Sequence, residues 1–173
     1  MNSHISIGAK GVSLIELLIY LAIFAGIMFV LIQIFIAFTG SRGQVEARVE
    51  VQQSQRFAVE TMTQAIHRAT GTNNATGASS TLSLIMASST LNPTVFDTSV
   101  GVLRMQEGSA TPVNLTSDLT TVTALTFTRI TNATTTGQAT DTIKIDITVE
   151  YKNNNKPQLK YSKNTVTTAT IKQ

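Results

Sequence analysis

Among the residues that could do chemistry, Glu16 has the most unusual surroundings. It is the one charged residue between positions 14 and 38, in a run dominated by Leu, Ile, Phe and Ala. A charge inside a membrane helix is costly, so such a carboxylate is by default a candidate functional residue. An opposite charge close by would stabilise its ionised form. The alternative is a carboxylate that is simply neutralised by protonation.

The sequence has few residues suited to catalysis or to metal, phosphate or nucleic-acid binding. The chain has no cysteine, which excludes disulfides, thiolate zinc sites and cysteine nucleophiles. His67 has no acidic pair at ligand spacing, and the sequence lacks both a Gly-rich phosphate loop and a Ser-His-Asp arrangement. A net charge of +3 does not favour nucleic-acid binding. We therefore predict a protein that is not an enzyme, with no catalytic residue, cofactor or metal.

The element that must hold Glu16 is a long apolar helix. Residues 17–38 carry Gln33 and the amphipathic Tyr20 as their only polar side chains. At ~1.5 Å per residue they can cross a hydrocarbon core of ~30 Å. A secretory signal places its apolar region before the cleavage site, whereas here that region follows Gly11. Cleavage after Gly11 would therefore leave the anchor on the mature chain.

The most specific pattern in the chain is at residues 10–18, which read Lys-Gly-Val-Ser-Leu-Ile-Glu-Leu-Leu. This stretch resembles the class III leader and first helical turns of type IV prepilins and type II secretion pseudopilins. The resemblance implies that a prepilin peptidase cleaves after Gly11, leaving Val12 as the first, N-methylated residue. Val12 stands where the family usually has Phe, and Gln33 stands where many major pilins have a kinking Pro. The absence of that Pro favours a minor subunit.

The same resemblance implies an assembly role for Glu16. Cleavage after Gly11 gives Val12 a cationic α-amino group, which in a filament can reach Glu16 of a neighbouring subunit and fix the register. The implied partners are the prepilin peptidase, other major and minor pilin or pseudopilin subunits, the inner-membrane assembly platform and membrane lipid. The implied location is the cytoplasmic membrane, with the leader in the cytoplasm and the head outside, and later the filament.

Beyond the anchor the predicted helix becomes amphipathic. A stripe of small and apolar residues recurs at helical spacing, with polar residues on the other faces. Its members are Ala47, Val51, Ala58, Met62, Ala65, Ile66 and Ala69. Gly40 and Gly43 predict a looser segment over residues 39–43, and Gly71 predicts the helix end. Residues 53–69 also resemble the corresponding stretch of W-type minor pilins and J-type minor pseudopilins.

Residues 71–173 predict a β-rich head. After a loop at residues 71–81, apolar positions alternate within residues 82–86 and 143–151, and apolar runs at residues 100–105 and 122–130 also predict strands. Residues 153–157 predict a hairpin turn that leads to residues 159–162 and then to residues 165–171. We predict a pilin-like α+β fold in which a long N-terminal helix packs on an antiparallel β-sheet. The predicted segments are a leader at 1–11, a transmembrane and assembly helix at 12–38, an amphipathic stem helix at 39–70 and the head at 71–173.

Two functions fit this organisation. The first is a non-catalytic minor pilin or pseudopilin that assembles through its N-terminal helix into a type IV pilus or a type II secretion pseudopilus. The alternative is a binding module, in which a pilin stem displays a head that recognises a surface, DNA or a secreted substrate. An exposed aromatic or basic groove would favour the alternative, and the sequence clearly indicates neither. The lysines around the last predicted hairpin, Lys152, Lys156, Lys160 and Lys163, are typical of a solvated turn.

Overall fold

The computed structural model describes residues 13–133, 139–152 and 159–171, without the side chains of residues 39–42, 132–133 and 139. The chain divides into two compact units, Met1–Arg42 and Gly43–Gln173. One helix, α1 (Leu14–Arg68), contributes residues to both units. In the described residues the first unit is helical from Leu14 onwards, and the second combines the end of α1 with nine strands.

In the first unit, every side chain described over residues 13–38 is exposed. These side chains are apolar on all faces of the helix, whereas a helix on the surface of a soluble protein keeps a polar face. Among the described residues, one helix is long and apolar enough to cross a membrane, and its window has a mean hydropathy of 2.7. The predicted apolar helix is therefore present, and the structure is compatible with a membrane anchor.

In the second unit, the predicted stripe of α1 faces the core. Its members are buried, except Ala65, which is half-buried. The predicted loosening near Gly43 is wrong, because residues 39–43 are α-helical. Gly43 packs closely against Leu159 instead: a Cβ at this position would lie 2.6 Å from Cδ2 of Leu159, so a larger residue would displace the end of that side chain.

The end of the helix also differs from the prediction. Helix α1 ends at Arg68, and strand β1 (Ala69–Thr72) begins at the next residue. Gly71, predicted to stop the helix, instead lies inside β1, beside an irregularity in the pairing of β1 with β3. Glycine in a strand often marks such a bulge. The boundary predicted at residues 70 and 71 therefore falls within a strand.

The strands form two antiparallel sheets, where a single sheet was expected. The first sheet has the order β1-β3-β4-β5-β6, and the second has the order β2-β7-β8-β9. The remaining strands are β2 (Gly77–Ser79), β3 (Leu82–Met86), β4 (Thr94–Ser99), β5 (Val102–Glu107), β6 (Val113–Asn114), β7 (Thr120–Ala133), β8 (Ala139–Tyr151) and β9 (Ser162–Thr170). The fold is α+β, with side chains of α1 and of both sheets in one hydrophobic core.

Two predicted segments of the head need correction. The predicted loop at residues 71–81 contains the end of β1 and all of β2. The predicted strand at residues 100–105 starts later, because Val100 and Gly101 have φ values of 51° and 74° and form the turn between β4 and β5. Positive φ at both central residues is typical of tight hairpin turns. The hairpin predicted at residues 153–157 lies outside the described residues. Of the two segments predicted to follow it, residues 165–171 correspond to β9, whereas residues 159–161 are not in a strand.

The longest strands confirm the period-two patterns. On β8, Ile143, Ile145, Ile147 and Val149 are buried and the residues between them are half-buried. On β7 the apolar spacing has a step of three, from Val122 to Leu125, and both residues are buried. The register shifts between Val122 and Ala124, and the extra residue of a bulge restores Leu125 to the core face.

Candidate functional site

Glu16 lies in the first turn of α1, where the helix dipole favours an acidic side chain. Its side chain is exposed, and its Oε1 accepts a hydrogen bond of 3.4 Å from the Tyr20 hydroxyl, one turn further on. Ser13 precedes the helix, and its carbonyl accepts a hydrogen bond of 3.2 Å from the amide of Leu17. The spacing of Ser13 and Glu16 is also that of a capping box. A carboxylate here can accept a hydrogen bond from a backbone amide at the start of the helix, and it can bind a cation placed beside it.

The other two predicted site residues, Gly11 and Val12, lie outside the described residues. Their roles in processing therefore stay predictions. Val12 precedes the first helical residue, Leu14, by two positions and Glu16 by four. A new N-terminus at Val12 would consequently lie next to the turn that carries Glu16.

The surface around this turn and beyond it is unusually apolar. Leu14 is 80% exposed and Phe35 is 72% exposed, and large apolar side chains between them are exposed on every face. Soluble proteins rarely expose apolar patches of more than a few hundred Å². Residues 14–38 span about 37 Å at ~1.5 Å per residue, which exceeds the ~30 Å of a hydrocarbon core. Glu16 would thus lie near one end of the apolar segment.

Two buried polar residues fix α1 against the sheets, and the sequence analysis missed both. The amide of Gln55 donates hydrogen bonds to the carbonyls of Ile147 at 3.3 Å and Lys163 at 3.1 Å. The hydroxyl of Ser54 lies 3.2 Å from that of Thr120 and accepts a hydrogen bond from the amide of Ser117. Ser54 and Gln55 fall on the face of the predicted stripe, and this position was the available signal. Buried polar groups need such partners, so these residues also specify how the helix packs.

A second missed feature is an ion pair between the buried Asp141 and the half-buried Arg129. The guanidinium of Arg129 donates to both carboxylate oxygens of Asp141, at 3.0 and 2.9 Å, and to the carbonyl of Asn74 at 2.6 Å. Thr131 adds a hydrogen bond of 2.8 Å to the same carboxylate. The hydrogen bond from Arg129 is the main cause that holds the pKa of Asp141 below its usual range. The pair joins the two longest strands and the loop at Asn74, which indicates a structural role.

The one histidine considered as a ligand, His67, contacts the backbone. Its side chain is exposed, and its Nδ1 lies 3.0 Å from the carbonyl oxygen of Thr170. No group of three or more His, Cys, Asp or Glu side chains within residues 13–133, 139–152 and 159–171 could hold a metal ion. The candidate functional site is therefore the first turn of α1 together with the apolar surface that follows it.

Comparison of the chain with protein-family models, with curated proteins and with solved structures found no match.

Proposed function

We propose that this protein is a non-catalytic minor subunit of a type IV pilus or a type II secretion pseudopilus, cleaved after Gly11 and assembled through its N-terminal helix. The observation that carries the proposal is the position of Glu16. It is a lone carboxylate in the first turn of a helix whose following residues, as far as position 38, are apolar and exposed. A helix of this composition requires lipid or other helices around it.

The proposed mechanism is charge pairing at low dielectric. Removal of residues 1–11 creates an α-amino group at Val12, and the carboxylate of Glu16 in an adjoining subunit is its partner. In water such a pair contributes ~0–1 kcal/mol, whereas breaking a buried pair costs ~3–5 kcal/mol. One such pair at each contact between adjoining subunits would therefore set the axial register of their helices, because apolar contacts alone favour no single register.

The second unit supports the same proposal by its architecture. The stripe of α1 and the inner faces of both sheets share a hydrophobic core, so this part of the chain needs no lipid. The protein thus combines an apolar helical segment with a folded α+β head, as expected of a subunit displayed on a membrane or a filament. The partners in this proposal are the prepilin peptidase, other pilin or pseudopilin subunits, the inner-membrane assembly platform and lipid.

Substitution of Glu16 tests the proposal. Glu16→Ala and Glu16→Gln should both leave cleavage and membrane insertion intact, since removing a charge eases insertion. Both variants should be lost from sheared filaments when co-expressed with the partner subunits, because Val12 of the neighbour has no carboxylate to bind. Glu46→Ala is the matched control, since it removes an exposed carboxylate of α1 outside the apolar segment. Normal incorporation of both Glu16 variants would show that Glu16 does not set the register.

A further inference from the structure

The outer edge of β9 has backbone groups without a strand partner in the described part of the chain. β9 is the last strand of its sheet and pairs with β8 without a register shift. The amide of Tyr151 bonds to the carbonyl of Tyr161, and the amide of Ile171 bonds to the carbonyl of Asp141, both at 2.9 Å. Hydrogen bonding alternates along an antiparallel strand. The backbone N–H and C=O groups of the odd-numbered residues of β9 therefore point to β8, and those of the even-numbered residues point away from the sheet.

This edge has few of the features that usually block strand addition. It is nine residues long and contains neither proline nor a bulge. Charged side chains are another such feature, and β9 has one, Lys163, whose backbone groups face β8. The outward-facing residues are Ser162, Asn164, Val166, Thr168 and Thr170, and at Thr170 the carbonyl is in contact with His67. The opposite edge of the same sheet, β2, has only three residues. Long, regular edges of this kind are templates for another strand.

A groove of about 690 Å³ lies beside β9, between that strand and α1. Its lining includes two cations, Arg56 and Lys163, with Val59 and Glu60 near them. Neither cation makes an ion pair with any carboxylate among the described residues, where the ion pairs are Arg104–Asp97 and Arg129–Asp141. A strand added to β9 would direct alternate side chains into this groove.

A second copy of the chain is a poor occupant of this edge. A closed pair formed by joining two β9 edges would place β9 of one copy beside the groove of the other. β9 has no acidic residue and carries Lys163, so a second β9 offers no carboxylate to the cations of the groove.

We propose that an extended segment of a different polypeptide adds to the β9 edge as a further strand and places an acidic side chain over Arg56 and Lys163. The added strand is antiparallel to β9. Its main-chain hydrogen bonds to the even-numbered residues of β9 provide the binding, and the groove selects the side chains. An aliphatic residue two positions from the acidic one also points into the groove, which Val59 lines. The two cations of the groove outnumber its one carboxylate, Glu60, and so favour a carboxylate at the central inward position.

A capped peptide tests this inference on the full-length chain in lipid nanodiscs. The probe is acetyl-Ser-Val-Thr-Glu-Thr-Val-Ser-amide, whose Val and Glu side chains face the groove. With millimolar probe, hydrogen exchange at the amides of Asn164, Val166 and Thr168 should slow by about tenfold or more, while that of Thr165 and Thr167 stays unchanged. Absence of any slowing would overturn the proposal. Slowing that increases with protein concentration and needs no probe would show that a second copy is the occupant.

Two matched controls separate strand addition from non-specific adsorption. N-methylation of the two Thr amides of the probe, which face β9, should abolish the effect, whereas N-methylation of the two Val amides should not. Equal loss with both probes would contradict strand pairing. The double variant Arg56→Glu, Lys163→Glu should not bind this probe and should bind a probe with Lys at the central position. The control variant Arg68→Glu, altered outside the groove, should bind the original probe as the unaltered chain does. Indifference to the charge swap would exclude the acidic contact. None of these outcomes depends on cleavage after Gly11.

Discussion

Residues 14–38 and residues 43–68 belong to one α-helix, yet their side chains are distributed in opposite ways. In the first stretch apolar side chains cover every face and are exposed, whereas in the second they form a stripe buried against two sheets. Backbone hydrogen bonding is the same in both stretches, so the difference lies in the surroundings that each pattern requires. An amphipathic helix is complete once a sheet covers its stripe, while an all-apolar helix needs an apolar environment on all sides.

The largest expected effect comes from separating the two stretches. Deleting residues 1–42 removes the exposed apolar surface and leaves every residue of the hydrophobic core in place. Residues 43–173 should therefore remain in solution without detergent, whereas the full chain should be recovered in the membrane fraction. Fractionation of cells that express each form measures this. Aggregation of the shorter form in the absence of detergent would mean that the head depends on the first unit.

Acidic substitutions within the second stretch should separate its two faces. Met62→Asp and Ile66→Asp should each lower the free energy of unfolding by about 3–5 kcal/mol, because both side chains are fully buried and a new carboxylate would have no partner. Gln53→Asp, on the exposed face, should change it by about 0.5 kcal/mol or less. Urea denaturation followed by circular dichroism gives the values. Similar losses at all three positions would show that this stretch has no distinct core face.

A smaller effect is expected at the Arg129–Asp141 ion pair of the second unit. Asp141→Asn should lower the free energy of unfolding by about 2–3 kcal/mol at neutral pH, because Asp141 is buried and the half-buried Arg129 would lose its counter-charge. The pKa of Asp141 is lowered in the folded protein, so its contribution is present above the unfolded-state pKa of about 3.9 and is lost as the pH falls through the lower folded-state value.

The pH dependence supplies the check on this ion pair. The difference in stability between the unaltered chain and Asp141→Asn should be constant from neutral pH to about pH 5 and should shrink below about pH 4. Asp118→Asn is the control, since Asp118 is exposed. A difference that stays the same down to pH 2 would mean that ionisation of Asp141 does not stabilise the fold.

The sequence was most informative where one surface dictates the pattern. The apolar segment at residues 17–38, the stripe from Ala47 to Ala69 and the alternation from Ile143 to Val149 each repeat one simple pattern. Strands β1, β2, β4 and β6 were missed because they are short or polar, and β2 in addition depends on β7, a partner distant in sequence. Gln55 and Asp141 were missed although both continue an apolar periodicity, because their polar types suggested exposure. Their partners, Lys163 and Arg129, become neighbours only in the folded chain.

The candidate site likewise has features that the sequence indicated and features that only the structure shows. The sequence alone indicates Glu16 as a charge that needs explanation, and the structure adds its place in the first helical turn and its contact with Tyr20. The position of β9 at the edge of its sheet among the described residues could not be predicted, because which strand ends a sheet depends on the whole topology. Gly11 and Val12 lie outside the described residues, so their roles stay predictions.

The mass of the N-terminal peptide distinguishes a chain cleaved after Gly11 from an uncleaved one. The full-length chain is expressed in cells with an active prepilin peptidase, and the N-terminal peptide is identified by mass spectrometry. We expect a chain that begins at Val12, with or without a methyl group on its α-amino nitrogen, and we expect a large side chain at position 11 to block this processing. A protein that retains Met1 in those cells would contradict the proposed function.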